Sequence, residues 1–270
     1  MRQTSNRFAA MGAVALLLTN AAWAAGPPSG PLRRCPVDAV MSGAGCMDKY
    51  EAGVWRVPDP LGAGRDIVRR IRQGTATAAL LTAAGAKELG VSPGVDYAPC
   101  ANSGQNCADD VYAVSLPAVT PSAKLTWFQA QAACENAGKR LPSNAEWQAA
   151  VAGSPDPGED DGTSDCNTAS VFHASATGSR TRCVSTRGAF DMVGNLYEWV
   201  ADWVPQSNAC PGWGGVDDDQ CFAGAATTGE PAALLRGGSF FSRTLAGPLA
   251  ILGTNSPFGA NFTIGFRCVR

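Results

Sequence analysis

The chain contains one histidine, His173, and no pair of cysteines separated by two residues. Metal sites built on two or three imidazoles cannot be assembled from this chain alone, and the usual zinc and thioredoxin-type CxxC spacings are absent. Strong charge of either sign is also lacking, because 21 Lys and Arg stand against 23 Asp and Glu. A chain of this balance has no basic footprint for nucleic acid, so no nucleic-acid partner is expected.

Apolar runs long enough to cross a bilayer are lacking too, and the run Phe8–Leu18 has 11 residues. Arg2 and Arg7 precede it, and a small-x-small pattern follows at positions 22–24. This arrangement is typical of a secretory signal peptide, so we expect residues 1–24 to be cleaved. The protein is then exported to the periplasm, the cell surface or the medium, and it does not span the membrane.

Cysteine, by contrast, is plentiful. An even number of cysteines in an exported chain indicates disulfides rather than free thiols. With 31 Gly and 18 Pro, the composition also predicts many turns and irregular segments. The ten positions are Cys35, Cys46, Cys100, Cys107, Cys134, Cys166, Cys183, Cys210, Cys221 and Cys268.

The residue pattern predicts one α+β domain with much ordered loop. Thr126–Gly138 is the strongest helix, with Thr126 as its N-cap and Gly138 as its stop. A second helix starts at Ser143, which forms a capping box with Glu146. The other expected segments are a linker over 25–46, a strand over Met47–Pro58, two short helices within Asp66–Gly90, a loop over 91–110, a strand over Tyr112–Leu116, a polar loop over Gly153–Cys183, and short strands thereafter.

Two further sets of residues have plain structural interpretations. Trp147, Trp199 and Trp203 each bring a large apolar area, and we expect all three in the core. The acidic runs 159–161 and 217–219 lie in polar loops, where solvated carboxylates are expected.

Four segments, in this order, resemble the formylglycine-generating enzyme, or sulfatase-modifying factor, family. They are Met47–Glu51, then Gly138–Pro142 with Glu146-Trp147, then Gly188–Trp203, and finally Leu235–Ser239 with Ile264–Cys268. The resemblance implies a decorated C-type-lectin-like fold over residues 47–270, loop-rich and stapled by disulfides.

The family's oxidative chemistry does not carry over. Members that oxidise a sulfatase cysteine use two cysteines with four residues between them, shortly after the Gly-Gly-Ser segment. Here those positions hold Ser242 and Gly247. Without a thiolate pair, no group can hold Cu(I) or attack a substrate thiol. We therefore expect no catalytic residues, no copper and no enzyme of this type.

A calcium loop is the family feature that does remain. Two carboxylates and two backbone carbonyls suit a hard, structural Ca²⁺ ion. The alternative is that Asp191 closes a turn and Glu198 pairs with Arg236 or Arg267. The positions that match the family's calcium ligands are Asp191, Gly194, Leu196 and Glu198.

Residues 237–267 resemble, more narrowly, the variable region of diversity-generating-retroelement variable proteins, which bind ligands on this fold. The frame of that region matches Gly237, Gly238, Phe240, Ala246, Gly247, Ala250, Pro257, Ile264, Gly265 and Arg267. Leu249-Ala250, where the ordinary family usually has Arg, also favours this group. The positions that match diversified, ligand-binding residues are Phe241, Ser242, Leu245, Leu252, Thr254, Asn255, Gly259, Asn261 and Thr263.

Three functions follow from these resemblances. The favoured one is an exported, non-catalytic protein that binds an unknown protein or surface ligand through this variable segment. In the alternative, a non-variable accessory or structural member, the apolar side chains of the segment fill the core. A near-copy of its coding sequence beside a reverse transcriptase would distinguish these two. A sulfatase-modifying oxidase is the third and would require metal-dependent oxidation of a Cys peptide.

The implied fold also suggests how the cysteines pair. In it the main helix and the final strand lie side by side, which implies a Cys134–Cys268 bridge. The local pairs 35–46, 100–107, 166–183 and 210–221 then use the remaining cysteines.

Overall fold

The computed structural model describes residues 34–91, 97–107, 110–209, 217–221 and 226–270. The predicted signal peptide and Cys210 lie outside these ranges. Among the described residues, no helix combines the length and apolar character needed to cross a membrane.

A short hairpin, β1 (Ala39–Ser42) and β2 (Gly45–Asp48), opens the described chain. Strand β2 lies against the C-terminal end, because the Cys46 amide donates to the Arg270 carbonyl at 2.7 Å and the Asp48 amide to the Cys268 carbonyl at 2.8 Å. The linker predicted over 25–46 is therefore ordered structure from β1 onward. A strand of four residues is too short for the alternation of its apolar and polar residues to distinguish it from a loop in the sequence.

A three-stranded antiparallel sheet follows, with β3 (Ala52–Arg56) between β4 (Lys87–Leu89) and β5 (Val111–Ser115). The single strand predicted over Met47–Pro58 is thus two strands, broken at 49–51. Helices α1 (Arg65–Gln73) and α2 (Ala78–Ala83) confirm the two predicted helices. Strand β4 was not predicted, because Lys87 and Glu88 lack the residue types that favour strands.

Helices α3 (Trp127–Asn136) and α4 (Asn144–Ala150) confirm the two capped helices. The Ser143–Glu146 capping box forms as predicted. Helix α3 has one as well, because Thr126 Oγ1 accepts from the Gln129 amide at 3.2 Å and Gln129 Oε1 accepts from the Thr126 amide at 3.0 Å. Each box satisfies two amides that a helix start would otherwise leave unpaired.

The C-terminal part forms a five-stranded sheet in the order β10-β6-β8-β9-β7. Its strands are β6 (Tyr197–Ala209), β7 (Gln220–Cys221), β8 (Ala226–Arg236), β9 (Ile251–Leu252) and β10 (Ile264–Phe266). Only short strands were predicted here, and that is wrong for β6 and β8. Pro205 and Pro231 suggested that the strands end at these positions. The two prolines lie opposite each other beside a shift in the pairing register, where the ladder of backbone hydrogen bonds tolerates a residue without an N–H group.

Trp147 and Trp199 are fully buried, as predicted, whereas Trp203 is 43% exposed. The prediction is wrong for Trp203 because β6 continues past β10, which pairs only with Tyr197–Trp199, so the outer part of β6 leaves the core. The acidic runs agree with expectation at Glu159 and Asp217, which are exposed, and differ from it at Asp160 and Asp218. The Asp160 side chain is buried and accepts from the amides of Thr168 and Ala169, and the buried Asp218 accepts from the Leu249 amide, all at 2.7 Å.

Four disulfides join cysteines that the structure describes, and their pairing is the one predicted. They are Cys35–Cys46, Cys100–Cys107, Cys134–Cys268 and Cys166–Cys183. Cys221 is disulfide-bonded as well. The Cys134–Cys268 bridge links α3 to Cys268, which lies two residues after the end of β10.

Removing the Cys134–Cys268 bridge should cost more stability than removing Cys166–Cys183. All four cysteines are buried, but the bridges close segments of 134 and 17 residues. In the chain-entropy model this difference in loop length is worth about 2 kcal/mol. Urea unfolding of the two double Cys→Ala variants measures it, and equal losses would show that loop entropy does not set the contribution of the long bridge.

Candidate functional site

The calcium-loop residue Glu198 lies in a buried ion pair. Arg267 Nε donates to its two carboxylate oxygens at 2.9 and 2.8 Å, and Arg267 Nη2 donates to Oε1 at 2.6 Å. The Trp147 indole donates to Oε2 at 2.7 Å. Arg236 instead lies over the Trp147 ring, 4.4 Å from its centroid. Of the two predicted partners, the structure therefore pairs Glu198 with Arg267.

Asp191 is buried at the other end of this loop. Its Oδ2 accepts from the Gly178 amide at 2.7 Å, and it makes no ion pair within the described residues. Burial raises the pKa of Asp191 to about 7. Burial, together with the charges of Asp191 and Glu198, also raises the pKa of Glu51 well above its ordinary value. Three carboxyl groups thus lie near one guanidinium, that of Arg267, and the raised pKa values shift Asp191 and Glu51 toward the neutral acid.

These residues fit a calcium ion in part. Asp191 offers a hard carboxylate without a cation in contact, whereas Glu198 would have to share its oxygens with Arg267. Gly194 donates its amide to the Gly237 carbonyl at 3.0 Å, and Leu196 donates its amide to Glu51 Oε1 at 3.0 Å. In the described part of the chain, no three His, Cys, Asp or Glu side chains form a ready metal cage. Calcium binding stays a prediction.

Glu51 was not singled out from the sequence, although it closes the first matching segment. Its carboxylate accepts from the Leu196 amide and from the Asn195 side chain. Glu51 thereby ties the start of β3 to the calcium loop, a long-range contact that no local pattern reveals.

The two positions that hold cysteines in oxidising family members have other roles here. Ser242 is buried, and its Oγ accepts from the Ser239 amide at 2.9 Å and donates to the Tyr197 hydroxyl at 3.0 Å. A Cβ atom at Gly247 would lie 2.1 Å from Asp218 Oδ1, so any side chain there would displace that carboxylate. The local packing is built around serine and glycine.

The frame and the diversified positions of residues 237–267 differ in exposure. All ten frame residues are buried. Of the nine positions predicted to bind ligand, Ser242 alone is buried, and the other eight are at least partly exposed. Gly238 shows why the frame is fixed, because a Cβ there would lie 2.5 Å from the Ala246 Cα atom.

The structure brings part of the predicted set together around Tyr197. The Tyr197 hydroxyl bridges Ser242 and Asp219 at 3.0 Å each, and its amide donates to the Thr263 carbonyl at 2.9 Å. Leu245 joins the group through its carbonyl, which accepts from the Asp219 amide at 2.8 Å.

A second group, Thr254, Asn255 and Gly259, lies at the other end of the segment. Thr254 Oγ1 donates to Asn255 Oδ1 at 3.0 Å, and the Gly259 amide donates to the Ser256 carbonyl at 2.7 Å. Leu252, in β9, packs partly buried against the same core cluster as Tyr197.

Exposed aromatic rings accompany the first group, and we call them the phenylalanine patch. It consists of Phe172, Phe241 and Phe262, which are 70%, 44% and 49% exposed, over the buried Phe240. Phe241 lies with its ring centroid 5.4 Å from Phe172 and 5.8 Å from Phe262. A concave pocket of about 400 Å³ adjoins the patch, and His173 and Lys124 also line it. Phe172 was missed from the sequence because its polar loop carries no periodic signal.

Residues 98–270 match the model of the Sulfatase-modifying factor enzyme 1-like domain. The chain belongs to the sulfatase-modifying factor family. The fold is accordingly α+β and C-type-lectin-like, with long loops and several disulfides.

Two curated relatives illustrate the family's range. Serine/threonine-protein kinase Pkn1 of Chlamydia trachomatis is 31% identical over 158 residues, which cover 56% of this chain and 24% of the kinase. The formylglycine-generating enzyme of Streptomyces coelicolor is 28% identical over 169 residues, which cover 55% of this chain and 52% of the enzyme. The chain thus spans about a quarter of the kinase and about half of the enzyme.

Among solved structures, the U1 variant of the Major Tropism Determinant is similar, with a TM-score of 0.45 and 19% identity. The matched region covers 88% of this chain and 54% of that one.

The Glu198–Arg267 pair gives a stability prediction. Glu198→Ala should lower the free energy of unfolding by about 3–5 kcal/mol, because it leaves a buried guanidinium without its counter-charge. Glu159, which pairs with Arg243 on the surface at 3.4 Å, is the control, and Glu159→Ala should cost less than about 1 kcal/mol. Chemical denaturation measures both, and similar losses would contradict the structural importance of the buried pair.

Proposed function

We propose that this family member is an exported, non-catalytic ligand-binding protein whose surface over residues 237–267 contacts a protein or another surface ligand. One observation carries the proposal. The frame residues of that segment are buried, and eight of the nine positions between them reach the surface. Residues at such positions can change without disturbing the packing that holds the backbone.

The phenylalanine patch supplies the apolar centre that recognition requires. Three large aromatic rings at least two-fifths exposed are costly in water, and clustered apolar residues of this kind are typical of interaction sites. Lys124 lines the pocket that adjoins the patch, and its amide donates to the carbonyl of Asn261, the neighbour of Phe262, at 3.0 Å. An apolar centre beside polar groups suits a protein surface better than a small polar solute.

A fixed scaffold supports the same conclusion. The segment is anchored by Arg267 at its end, and Cys268, the next residue, is bonded to α3. Binding surfaces on rigid elements lose little conformational entropy when they bind. Export also agrees with the disulfides, which form and persist in oxidising compartments.

An oxidase is not favoured, because Ser242 and Gly247 leave no thiol pair and Asp218 fills the space beside Gly247. The non-variable accessory member has one observation in its favour. Ser242 is buried, and Leu252 is partly buried and packs against a core cluster, so these two positions belong in part to the core. Neighbouring DNA distinguishes these functions, because only a diversified protein has a near-copy of this coding segment beside a reverse transcriptase.

The binding surface is tested by Phe241→Ser with Leu245→Ser. Both side chains are exposed, so the double variant should keep the parent's melting temperature and lose capture of the partner from a cell-surface extract. Leu61→Ser, at an exposed leucine before α1, is the matched control and should bind like the parent. A double variant that binds normally, or that fails to fold, would show that these side chains do not form the binding surface.

We further propose that the loop from Asp191 to Glu198 binds a structural Ca²⁺ ion. An ion bound only to the folded state stabilises it by mass action, by about 2.7 kcal/mol at a hundredfold excess over Kd. Chelation should therefore lower the melting temperature of the parent. Asp191→Asn keeps an acceptor for the Gly178 amide and tolerates the φ of 57° at this position, so it should fold but no longer respond to chelator.

Asp191 is a better position for this test than Glu198, because loss of Glu198 removes the ion pair with Arg267 and destabilises the fold with or without calcium. A parent protein whose melting temperature is the same in chelator and in calcium would contradict the calcium proposal.

A further inference from the structure

A second aromatic pocket shares no lining residue with the phenylalanine patch. It has a volume of about 430 Å³ and lies between the start of α3 and the β6–β8 ribbon. None of the nine predicted ligand-binding residues lines it. Its walls include Phe128, Trp203, Gln206, Glu230, Pro231 and Phe258.

Three aromatic rings form one side of this pocket. Phe128 lies with its centroid 5.7 Å from Trp203 at an interplanar angle of 79°, and 4.9 Å from Phe258 at 48°. Trp203 also packs edge-on to Trp127, whose indole is fixed by donation to the Val200 carbonyl at 2.8 Å. Trp203 and Phe258 are nevertheless 43% and 55% exposed. The rings are thus held at steep angles to one another while two of them stay open to solvent.

The other side of the pocket carries one carboxylate. Glu230 is exposed and makes no ion pair with any residue that the structure describes. Its backbone is fixed, because its amide donates to Thr228 Oγ1 at 3.2 Å. Gln206 is already engaged, since its Nε2 donates to the Thr254 carbonyl at 2.7 Å and its Oε1 accepts from Thr228 Oγ1 at 3.1 Å. Ser256 also lines the pocket, and its Oγ accepts from the Phe258 amide at 3.3 Å. Glu230 is therefore the charged group that the lining offers to a ligand.

Aromatic faces carry negative quadrupole potential, and a carboxylate beside them adds to it. The pocket consequently favours cations over anions and over neutral apolar groups. A primary ammonium is strongly hydrated and has three N–H donors, whereas this pocket offers Glu230 as the acceptor. A quaternary ammonium has no N–H groups and needs only aromatic faces and a counter-charge.

We propose that this pocket binds a quaternary ammonium group, either in a free small molecule or in a phosphocholine headgroup. The pocket borders the proposed ligand surface, because Phe258 lies within residues 237–267, but none of the nine ligand-binding positions lines it. Variants of Phe241 and Leu245 should therefore leave ammonium binding unchanged, so that failure of either idea can be recognised separately.

Choline titration of the full-length exported protein tests the pocket, with 3,3-dimethylbutan-1-ol as the neutral isostere of the same shape. Quenching of tryptophan fluorescence and calorimetry should both show saturable binding of choline and binding at least about tenfold weaker for the isostere. Equal affinity for the two would overturn the proposal, since the pocket would then be merely apolar. The absence of any saturable signal with choline would overturn it as well.

Variants locate the site. Glu230→Gln removes the charge with little change in shape, and Phe258→Leu removes one exposed ring, and each should weaken choline binding on the order of tenfold. Phe172→Leu, which removes an exposed ring from the phenylalanine patch, is the matched control and should bind choline like the parent. If Phe172→Leu weakens binding as much as Phe258→Leu, the assignment to this pocket is wrong.

Vesicles distinguish the two sources of the group. Co-sedimentation with phosphatidylcholine vesicles but not with phosphatidylglycerol vesicles, lost in Glu230→Gln, would identify a lipid headgroup. Choline binding without vesicle binding would identify a small molecule. Both results support a quaternary-ammonium site, whereas equal binding to both vesicles without saturable choline binding would overturn it.

Discussion

The buried Arg267 guanidinium is the interaction on which the rest of the structure depends. It binds Glu198 of β6 and donates to the carbonyls of Asp48 and Phe190 at 3.1 and 2.8 Å. One side chain thus joins the N-terminal hairpin, the calcium loop and the C-terminal sheet. A charge buried in this way is tolerated only with a counter-charge and satisfied donors, so these three parts must be in place together for the domain to be stable.

This constraint also bears on the surface proposed to bind a ligand, over residues 237–267. The segment begins in the Gly237-Gly238 turn, whose close approach to Met192 and Ala246 excludes larger side chains, and it ends where β10 leads into Arg267 and Cys268. Both ends are fixed by contacts that do not involve the exposed positions. The buried frame residues that fix the segment are consequently distinct from its exposed positions.

Local signals predicted the local structure well. The caps at Thr126 and Ser143 and the stop at Gly138 gave the two main helices, because a cap is specified within a few residues. Features that depend on long-range contacts were harder to predict from the sequence. The outward direction of Trp203 depends on where β10 stops pairing with β6. Phe172 joins the phenylalanine patch because a polar loop folds beside Phe241. The Cys134–Cys268 bridge could be predicted because the family resemblance supplied the fold that brings those residues together.

The residues at the two cysteine positions, Ser242 and Gly247, do more than remove two thiols, because each has its own contacts in this structure. Ser242 makes a hydrogen bond to Tyr197, which in turn donates to Asp219, and burial raises the pKa values of both Tyr197 and Asp219. Gly247 admits the Asp218 carboxylate, which accepts from the Leu249 amide. Restoring the cysteines alone would therefore leave a displaced Asp218 and a Tyr197 hydroxyl without its serine partner. The polar network that occupies this place fixes the loops beneath the exposed residues, and a rigid support of that kind suits the proposed binding surface.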